Sequence, residues 1–246
     1  MPQTVLGVIP ARFASSRFPG KALARIAGKT MVQHVWERAA RARYLSKLVI
    51  ATDDERIFHA GRAFGADVRM TRADHLSGTD RVAEVASAET APIVVNIQGD
   101  EPLIDPAAID AAVLALLDDD AVPMCTLKKR IEDPRELTDP NVVKVVSDRS
   151  GNALYFSRSL IPYVRHERTE HFKHIGLYVY RRDFLLRYSS LPVGPLEQAE
   201  RLEQLRALEN GYRIRVVETD YESLGVDTPE DLERVTALLE ARLAAG

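Results

Sequence analysis

Residues 93–102 read Ile93-Val-Val-Asn-Ile-Gln-Gly-Asp-Glu-Pro102, and this stretch indicates the fold class. Its first five residues are almost entirely apolar, which is typical of a strand buried on both faces of a parallel sheet. A similar apolar run covers 5–9, and strand-like and helical patterns alternate through the first half of the chain. Such alternation predicts βαβ units. We therefore expect an α/β fold with a mostly parallel sheet.

The first half divides into short strands and amphipathic helices. The predicted strands cover 5–9, 48–51, 66–68 and 93–97, and the predicted helices cover 31–43, a segment starting near 53, 80–88 and 106–117. Asp105 is a suitable N-cap for the last of these helices, and Pro106 suits its first position. Each helix connects two strands, as a parallel sheet requires.

The pattern changes near residue 121. Strand-like runs follow one another with few helices between them, at 122–127, 142–147, 153–157 and 175–180. Turn residues at 148–152 predict an antiparallel hairpin. The chain ends with a predicted helix over 196–209, a strand over 213–217 and a helix over 228–242. We interpret 1–246 as one domain that carries a β-rich lobe at about 121–195, used for substrate binding or dimerisation.

Composition restricts the class of protein. With 46% hydrophobic and 28% charged residues among 246, the chain has the composition of a folded protein. Cys125 is the only cysteine, which excludes an intrachain disulfide and suits a reducing cytoplasm. A net charge of −3 disfavours a nucleic-acid surface. No run approaches the roughly 18–20 apolar residues of a membrane span, and residues 1–10 lack a secretory signal. We expect a soluble cytoplasmic protein with no nucleic-acid or membrane partner.

The loop after the first predicted strand is basic. Residues 9–21 read Ile-Pro-Ala-Arg-Phe-Ala-Ser-Ser-Arg-Phe-Pro-Gly-Lys, which places Arg12, Arg17 and Lys21 past the carboxyl end of a parallel strand. Ligands of open α/β sheets bind at that edge, and such cations suit a triphosphate. The loop matches neither the Walker A nor the GxGxxG pattern. A solvated basic loop remains the alternative.

Two acidic segments are candidate metal ligands. Asp100 directly follows the apolar strand at 93–97, so it should lie at the same sheet edge as the basic loop. Asp227 lies just before a predicted helix N-cap at Thr228. If the two carboxylates converge, they could hold Mg²⁺ against phosphate oxygens. The alternatives are an ordinary Asp-Glu-Pro turn and an acidic residue that favours a helix N-terminus.

Two further polar groups are weaker candidates. In the loop at 71–81, Ser77 and Thr79 could bind a nucleobase edge, although an N-capping loop explains them nearly as well. In the β-rich lobe, Arg158 could bind a substrate carboxylate. Other polar side chains there could bind sugar hydroxyls, namely His174, Tyr178, Glu200, Glu203 and Gln204. A lone histidine near a strand is more often structural.

Taken together, these segments resemble the 3-deoxy-manno-octulosonate (KDO) cytidylyltransferase family. The resemblance extends in order over nearly the whole chain, through VIPARFASSRFPGKAL (8–23), MTRADHLSGTDRVAEV (70–85), VVNIQGDEPLIDP (94–106), NVVKVV (141–146), ALYFSRSLIP (153–162), HIGLYVYR (174–181), PLEQAERLEQLR (195–206) and GVDTPEDLERV (225–235). Sialic-acid cytidylyltransferases share the opening Ile-Pro-Ala-Arg and Pro-Gly-Lys. They match QGDEP, YFSR and LEQLR much less well.

The resemblance implies a nucleotide-diphospho-sugar transferase fold of the Rossmann-like type, usually in a homodimer. It implies that Arg12 and Lys21 contact the triphosphate and that Asp100 and Asp227 hold Mg²⁺. The nucleotide-binding set is Ala11, Arg12, Lys21, Arg72, Ser77, Gly78, Thr79 and Gln98. The sugar-binding set is Gln98, Tyr155, Arg158, His174, Tyr178, Glu200, Glu203 and Gln204.

The implied reaction is transfer of CMP from CTP to the anomeric hydroxyl of KDO, with release of pyrophosphate, for lipopolysaccharide biosynthesis. One alternative is a cytidylyltransferase for another acidic sugar, such as 8-amino-KDO or sialic acid. Another is a non-catalytic nucleotide-binding regulator, against which the presence of Asp100 and Asp227 argues.

Overall fold

The computed structural model describes residues 3–14, 18–165 and 169–244. The chain divides into two compact units, which are treated separately below. The first unit consists of Met1–Asp110 and Ser223–Gly246, and the second of Ala111–Glu222. The predicted β-rich lobe at about 121–195 falls within the second unit.

The strands, numbered along the chain, are β1 (Val5–Pro10), β2 (Arg25–Ile26), β3 (Lys29–Thr30), β4 (Lys47–Thr52), β5 (Asp67–Met70), β6 (Ile93–Asn96), β7 (Met124–Arg130), β8 (Lys144–Ser147), β9 (Ala153–Ser157), β10 (Phe172–Arg181) and β11 (Ile214–Glu218). The α-helices are α1 (Met31–Ala39), α2 (Glu55–Ala63), α3 (Gly78–Ser87), α4 (Pro106–Leu117), α5 (Arg135–Thr138), α6 (Arg182–Tyr188), α7 (Pro195–Glu200), α8 (Leu205–Glu209) and α9 (Pro229–Ala244). No helix among the described residues combines the length and apolar character needed to cross a membrane.

The first unit contains the predicted parallel sheet. β1 pairs in parallel with β4 on one side and with β6 on the other, and β5 lies beyond β4. The residues of β6 are all buried, because this apolar strand is covered on both faces. Strand order reverses between β1 and β6. The carboxyl ends of these two strands therefore form the crevice where open α/β sheets bind ligands.

The last helix, α9, belongs to the first unit. Thr228 caps it, because its hydroxyl accepts from Asp231 N at 3.2 Å, and the Asp231 carboxylate accepts from Thr228 N at 3.1 Å. Apolar residues of α9 and the segment before it pack into a buried cluster with residues from β2, α1 and the loop after β6, namely Ile26, Met31, Leu103, Val226, Val235 and Leu239. This packing fixes the segment that carries Asp227.

The second unit is built mainly on antiparallel strands. β7 pairs in parallel with β11 and antiparallel with β10, and β8 pairs antiparallel with both β10 and β9. The hairpin predicted around 148–152 is confirmed, with Val146 opposite Tyr155. Asp148 closes its turn by accepting from Ser150 N and Asn152 N.

Most predicted elements are confirmed to within a few residues, but the helix predicted over 196–209 is wrong. α7 ends at Glu200 and α8 begins at Leu205, and Arg201 between them has a left-handed φ of 54°. The Glu200 carbonyl accepts from Arg158 Nε at 2.8 Å. A tertiary hydrogen bond therefore replaces the helical one that the periodicity predicts.

Two smaller differences concern helices. α1 ends at Ala39 rather than at Arg43. The second unit also contains α6, where the sequence predicts few helices among the strands. Phe184, Leu185 and Tyr188 form its buried face, and their helical spacing could have identified it.

Candidate functional site

A cavity of about 350 Å³ opens in the first unit at the carboxyl ends of β1 and β6. It is therefore at the switch point of the strand order, and its volume suits a small ligand. Its walls come from the loops after β1 and β6, the loop before α3 and the segment before α9. The lining residues are Pro10, Ala11, Arg12, Lys21, Ala22, His75, Leu76, Ser77, Gly78, Arg81, Gln98, Gly99, Asp100 and Asp227.

Gly99 allows the loop after β6 to pass close to the end of β1. A Cβ atom at position 99 would lie 2.6 Å from the Pro10 carbonyl oxygen, which is far inside van der Waals contact. Only glycine avoids this clash with backbone that cannot move aside. The close approach places Asp100 beside the loop that follows β1.

Asp100 and Asp227 lie together although they are 127 positions apart in the sequence. The Val226 main-chain N–H donates to the Asp100 carbonyl oxygen at 2.9 Å. The Ser223 hydroxyl donates to the Glu101 carboxylate at 2.8 Å. These two bonds tie the segment before α9 to the loop after β6, so the carboxylates of Asp100 and Asp227 converge.

The Lys21 ammonium lies between these two carboxylates. Nζ donates to Asp100 Oδ2 at 2.6 Å, to Asp227 Oδ1 at 2.9 Å and to the Val226 carbonyl oxygen at 3.2 Å. An ammonium has three N–H donors, so all of them are in use. Burial alone would lower the pKa of Lys21, but Asp100 and Asp227 raise it above its ordinary value. Lys21 is therefore a full positive charge at neutral pH.

The pair of carboxylates has the chemistry of a magnesium site. Both already converge on one cation, the Lys21 ammonium. Within the described part of the chain, no cluster of three or more metal-binding side chains forms. Mg²⁺ commonly uses one or two carboxylates and completes its shell with water and substrate phosphates. The residues present therefore fit this ion.

The loop before α3 is held by side chains of that helix. The Glu84 carboxylate accepts from Arg72 N at 3.1 Å and contacts His75 Nε2. Ser77 and Asp80 form a capping box, in which the Ser77 hydroxyl accepts from Asp80 N at 3.1 Å. The Ser77 side chain is thus engaged in the cap, which supports the N-capping interpretation of this loop.

Arg81 ties the same loop to the end of β4. Its side chain is only 5% exposed, and Nη2 donates to Asp53 at 2.9 Å. Nη1 contacts the Thr71 hydroxyl and donates to the Arg72 carbonyl oxygen at 3.3 Å. One buried guanidinium therefore holds together the residues that follow β4 and β5, at the sheet edge that borders the cavity.

Replacing Arg81 with methionine is expected to destabilise the protein by about 3 kcal/mol, because Asp53 and the loop carbonyl lose their buried donor. For a chain of this size the melting temperature should fall by roughly 6–12 °C. Thermal unfolding followed by circular dichroism measures this. Arg135→Met is the matched control, since its ion pair with Asp133 is at the surface, with Arg135 91% exposed. Equal melting temperatures for the two variants would contradict the anchoring role.

The structure brings together most of the predicted nucleotide-binding residues. Ala11, Arg12, Lys21, Ser77, Gly78 and Gln98 line the cavity with Asp100 and Asp227. Arg72 and Thr79 do not line it: Arg72 is exposed and pairs with Asp74, and Thr79 is buried in the first turn of α3. Arg17, also singled out in the basic loop, lies outside the described residues.

In the second unit, the predicted sugar-binding residues Tyr155, Arg158 and Glu200 form one group. The Arg158 guanidinium donates to two main-chain carbonyls, Glu200 O and Pro140 O, each at 2.8 Å. The Glu200 carboxylate accepts from the Ser157 hydroxyl at 2.5 Å and from Arg158 N at 2.9 Å. Burial and the nearby Glu200 raise the pKa of Tyr155. The guanidinium is thus oriented by two neutral main-chain groups.

His174 and Tyr178 are neutral members of an aromatic cluster. Burial lowers the pKa of His174 to about 3 and raises that of Tyr178. His174 Nε2 lies 2.9 Å from the Thr126 hydroxyl, which also donates to main-chain carbonyls of β10. In the neutral imidazole one ring nitrogen donates and the other accepts. His174 therefore offers hydrogen bonds rather than charge.

Glu203 and Gln204 lie between α7 and α8. Gln204 is buried at the start of α8, and the Glu203 main-chain carbonyl accepts from the Tyr188 hydroxyl at 2.7 Å. Glu197, just before them in α7, is held by a two-bond ion pair with Arg206. The segment that the sequence predicts as helix is thus a broken helix fixed by tertiary contacts.

Comparison with known proteins identifies the family. The cytidylyltransferase family model matches residues 6–214. A 3-deoxy-manno-octulosonate cytidylyltransferase of Solibacter usitatus is 73% identical over 248 residues, which cover 100% of this chain and 98% of that protein. The chain belongs to the 3-deoxy-manno-octulosonate cytidylyltransferase family. A member of this family from Geobacter sulfurreducens is 59% identical over 96% of this chain and 99% of its own length.

Solved structures agree with this family. The structure of a CMP:2-keto-3-deoxy-manno-octonic acid synthetase complexed with CTP has a TM-score of 0.94 at 47% identity, and the match covers 97% of this chain and 99% of that chain. A cytidylyltransferase from Leptospira borgpetersenii shares the fold, with a TM-score of 0.65 at 19% identity. The predicted fold, family and enzyme class, a nucleotidyltransferase, are confirmed.

Sequence reasoning missed several residues that shape the site of this 3-deoxy-manno-octulosonate cytidylyltransferase family member. Arg81 and His75 line the cavity, and Glu84 orders its loop, although none was chosen as a site residue. His75 and Glu84 lie nine residues apart, and no local pattern marks the pair. The lining residue Leu76 is 93% exposed, and hydropathy would place such a side chain in the core.

Proposed function

We propose that this protein transfers CMP from CTP to the anomeric hydroxyl of KDO and releases pyrophosphate. One observation carries the proposal: Lys21, Asp100 and Asp227 converge in a cavity at the switch point of a parallel sheet. The relatives named 3-deoxy-manno-octulosonate cytidylyltransferase, and the related structure complexed with CTP, support this choice of substrates.

In the proposed reaction, a new bond joins the anomeric oxygen of KDO to the α-phosphorus of CTP. The bond from that phosphorus to the oxygen that bridges it to the β-phosphorus breaks, pyrophosphate leaves, and the proton of the anomeric hydroxyl goes to solvent water. No protein nucleophile is required, because positioning and charge neutralisation supply most of the catalysis. Asp100 and Asp227 would hold Mg²⁺, which when bound neutralises phosphate charge and lowers the pKa of a coordinated hydroxyl.

The cavity's own cations act on the leaving pyrophosphate. Arg12 lines the cavity, is exposed and can form a bidentate contact with phosphate oxygens. Lys21 must give up at least one of its three present acceptors before it can donate to a phosphate oxygen. Fixed cations at this position stabilise the charge that develops as the bond breaks.

For the sugar, we propose Arg158 as the partner of the KDO carboxylate. Its guanidinium is already oriented by two main-chain carbonyls, and neither neutralises its charge. The neutral His174 and Tyr178 suit hydroxyl groups. The roles of Gln98, Tyr155, Glu200, Glu203 and Gln204 at the sugar stay predictions.

The test is pyrophosphate release by the purified protein with Mg²⁺, CTP and KDO, with each component omitted in turn. We expect release only when all three are present. CTP binding without release would favour a regulator. Faster release with 8-amino-KDO or sialic acid, or with UTP in place of CTP, would contradict the assignment to KDO and CTP.

We also propose that the protein is a homodimer that works in the cytoplasm for lipopolysaccharide biosynthesis. The family resemblance is what supports these three statements. Light scattering coupled to size-exclusion chromatography measures the mass directly, and a value near the chain's 27.4 kDa would contradict the dimer.

A further inference from the structure

Two buried lysines face each other in the second unit. Lys144 on β8 and Lys173 on β10 are paired in register across the antiparallel ladder. Lys144 is 0% exposed and Lys173 is 7% exposed. An ammonium at such depth normally requires a carboxylate partner, because an unpaired buried charge is unfavourable. The two lysines differ in whether the described residues provide such a partner.

Lys173 has the expected partners. Its ammonium donates to both carboxylate oxygens of Glu136, at 2.7 and 2.9 Å, and to Glu222 at 2.5 Å. Two negative charges therefore surround one positive charge. Burial would lower the pKa of Lys173, but Glu136 and Glu222 raise it. Lys173 is therefore the cation of an ordinary structural ion pair with these carboxylates.

Lys144 has no such ion pair among the described residues. Its ammonium donates to the carbonyl oxygen of Asp139 at 2.7 Å and, in a longer contact of 3.4 Å, to the carbonyl oxygen of Arg158. Burial lowers the pKa of Lys144, only partly opposed by the more distant charges of Asp139 and Glu136. Replacing a buried charge with an apolar side chain is often neutral or stabilising. Stability therefore does not explain why a lysine occupies this position.

The acceptors of Lys144 belong to the frame that orients Arg158. The Arg158 guanidinium donates to the Pro140 carbonyl, next to the Asp139 carbonyl that Lys144 holds. Lys144 also contacts the main chain of Arg158 itself. The Lys144 ammonium thus links the main chain of Arg158 to the 139–140 segment, where the Pro140 carbonyl accepts from the Arg158 guanidinium. The Glu200 carboxylate accepts from the Ser157 hydroxyl and from the Arg158 main chain.

We propose that Lys144 is a positioning residue that acts through Arg158 to favour a carboxylate-bearing sugar. It fixes the guanidinium and adds a second positive charge next to the Arg158 main chain, and neither charge has a direct ion pair among the described residues. This inference rests on the proposed function, in which Arg158 receives the carboxylate of KDO. Nothing in the sequence pattern suggests it, since a single lysine within an apolar strand is ordinarily expected at the surface.

The experiment compares Lys144→Met with Lys173→Met in steady-state pyrophosphate release. For Lys144→Met we expect KM for KDO to rise at least about tenfold, the loss of one charge-assisted contact. Both kcat and KM for CTP should stay within about twofold, since a positioning effect on ground-state sugar binding leaves them unchanged. For Lys173→Met, we expect a lower melting temperature with KM for KDO unchanged, because Glu136 loses the Lys173 ammonium and Glu222 keeps only its ion pair with Lys129.

A double-mutant cycle tests whether Lys144 acts through Arg158. In an Arg158→Met background, adding Lys144→Met should have little further effect on KM for KDO, because the side chain it positions is absent. Additive effects of the two substitutions would overturn the inference. If Lys144→Met does not fold, Lys144→Gln is measured instead; it keeps a donor for the carbonyls and removes only the charge, so we expect a smaller rise in KM for KDO.

The outcomes separate the two proposals. A wild-type protein that releases no pyrophosphate with KDO contradicts the proposed function. A wild-type protein active with KDO, together with an unchanged KM for KDO in Lys144→Met or Lys144→Gln, contradicts only the role of Lys144. Equal changes in KM for KDO and for CTP would likewise mean a general structural effect and overturn the inference.

Discussion

Asp100→Asn is expected to reduce kcat by roughly 10²–10³-fold, comparable to the loss of one preorganised electrostatic contact in other active sites. The substitution keeps the size and shape of the side chain but removes its charge from the pair with Asp227. The main-chain bond from Val226 to Asp100 is unaffected, so the loop after β6 should keep its position. Initial rates of pyrophosphate release at saturating Mg²⁺, CTP and KDO measure the effect.

Asp105→Asn provides the matched control for this experiment. It makes the same chemical change five residues along the chain, at the residue that caps the first turn of α4 by accepting from Ala107 N. Asparagine caps helices as well as aspartate does, so neither stability nor kcat should change. Near-normal turnover of Asp100→Asn at saturating Mg²⁺ would refute the assignment of Asp100 as a metal ligand.

Lys21→Ala is expected to reduce kcat by at least roughly 10²-fold, because a fixed cation on the leaving pyrophosphate is lost. It should have a second effect that is independent of catalysis. Without the ammonium, Asp100 and Asp227 repel each other, so the variant should melt at a lower temperature than wild type in the absence of Mg²⁺. Added Mg²⁺ should raise its melting temperature more than that of wild type, because a ligand that binds the folded state stabilises it.

Lys29→Ala is the control for Lys21→Ala. Lys29 pairs with Glu37 and is 46% exposed, so its removal should change neither kcat nor the response of the melting temperature to Mg²⁺. A mild effect of Lys21→Ala on kcat would mean that Lys21 belongs to a solvated basic loop. Equal stabilisation of Lys21→Ala and wild type by Mg²⁺ would contradict a metal site at the two carboxylates.

The part of the site nearest the parallel strands could be predicted from the sequence. β1 and β6 are almost entirely apolar, and parallel pairing brings the residues after them to one edge. For this reason the sequence predicts that Asp100 lies at that edge, which the structure confirms. It predicts Asp227 there only on the condition that the two carboxylates converge. Its proximity depends on the bond between Val226 and Asp100, which joins distant parts of the chain and which no local pattern encodes.

The second unit was harder to predict because tertiary contacts override its local patterns. The break between α7 and α8 follows from the hydrogen bonds of Glu200 to Ser157 and Arg158, which lie more than 40 residues earlier. Helical periodicity in 196–209 cannot reveal such partners. Lys144 is a similar case, since the depth of a lysine in a strand depends on what covers it. At 196–209 and at Lys144, the sequence predicts only the local structural preference. Contacts with distant parts of the chain determine the helix break and the burial of the lysine.

The dependence of the acidic pair on Val226 has a consequence for the synthesis of the protein. A ribosome completes the whole second unit before it reaches Ser223–Gly246, the segment of the first unit that carries Asp227. Until then a nascent chain has Lys21 and Asp100 but lacks Asp227, the second carboxylate of the acidic pair. Domains generally fold as units while the chain emerges. The nascent first unit therefore cannot form its acidic pair before this last segment has been made.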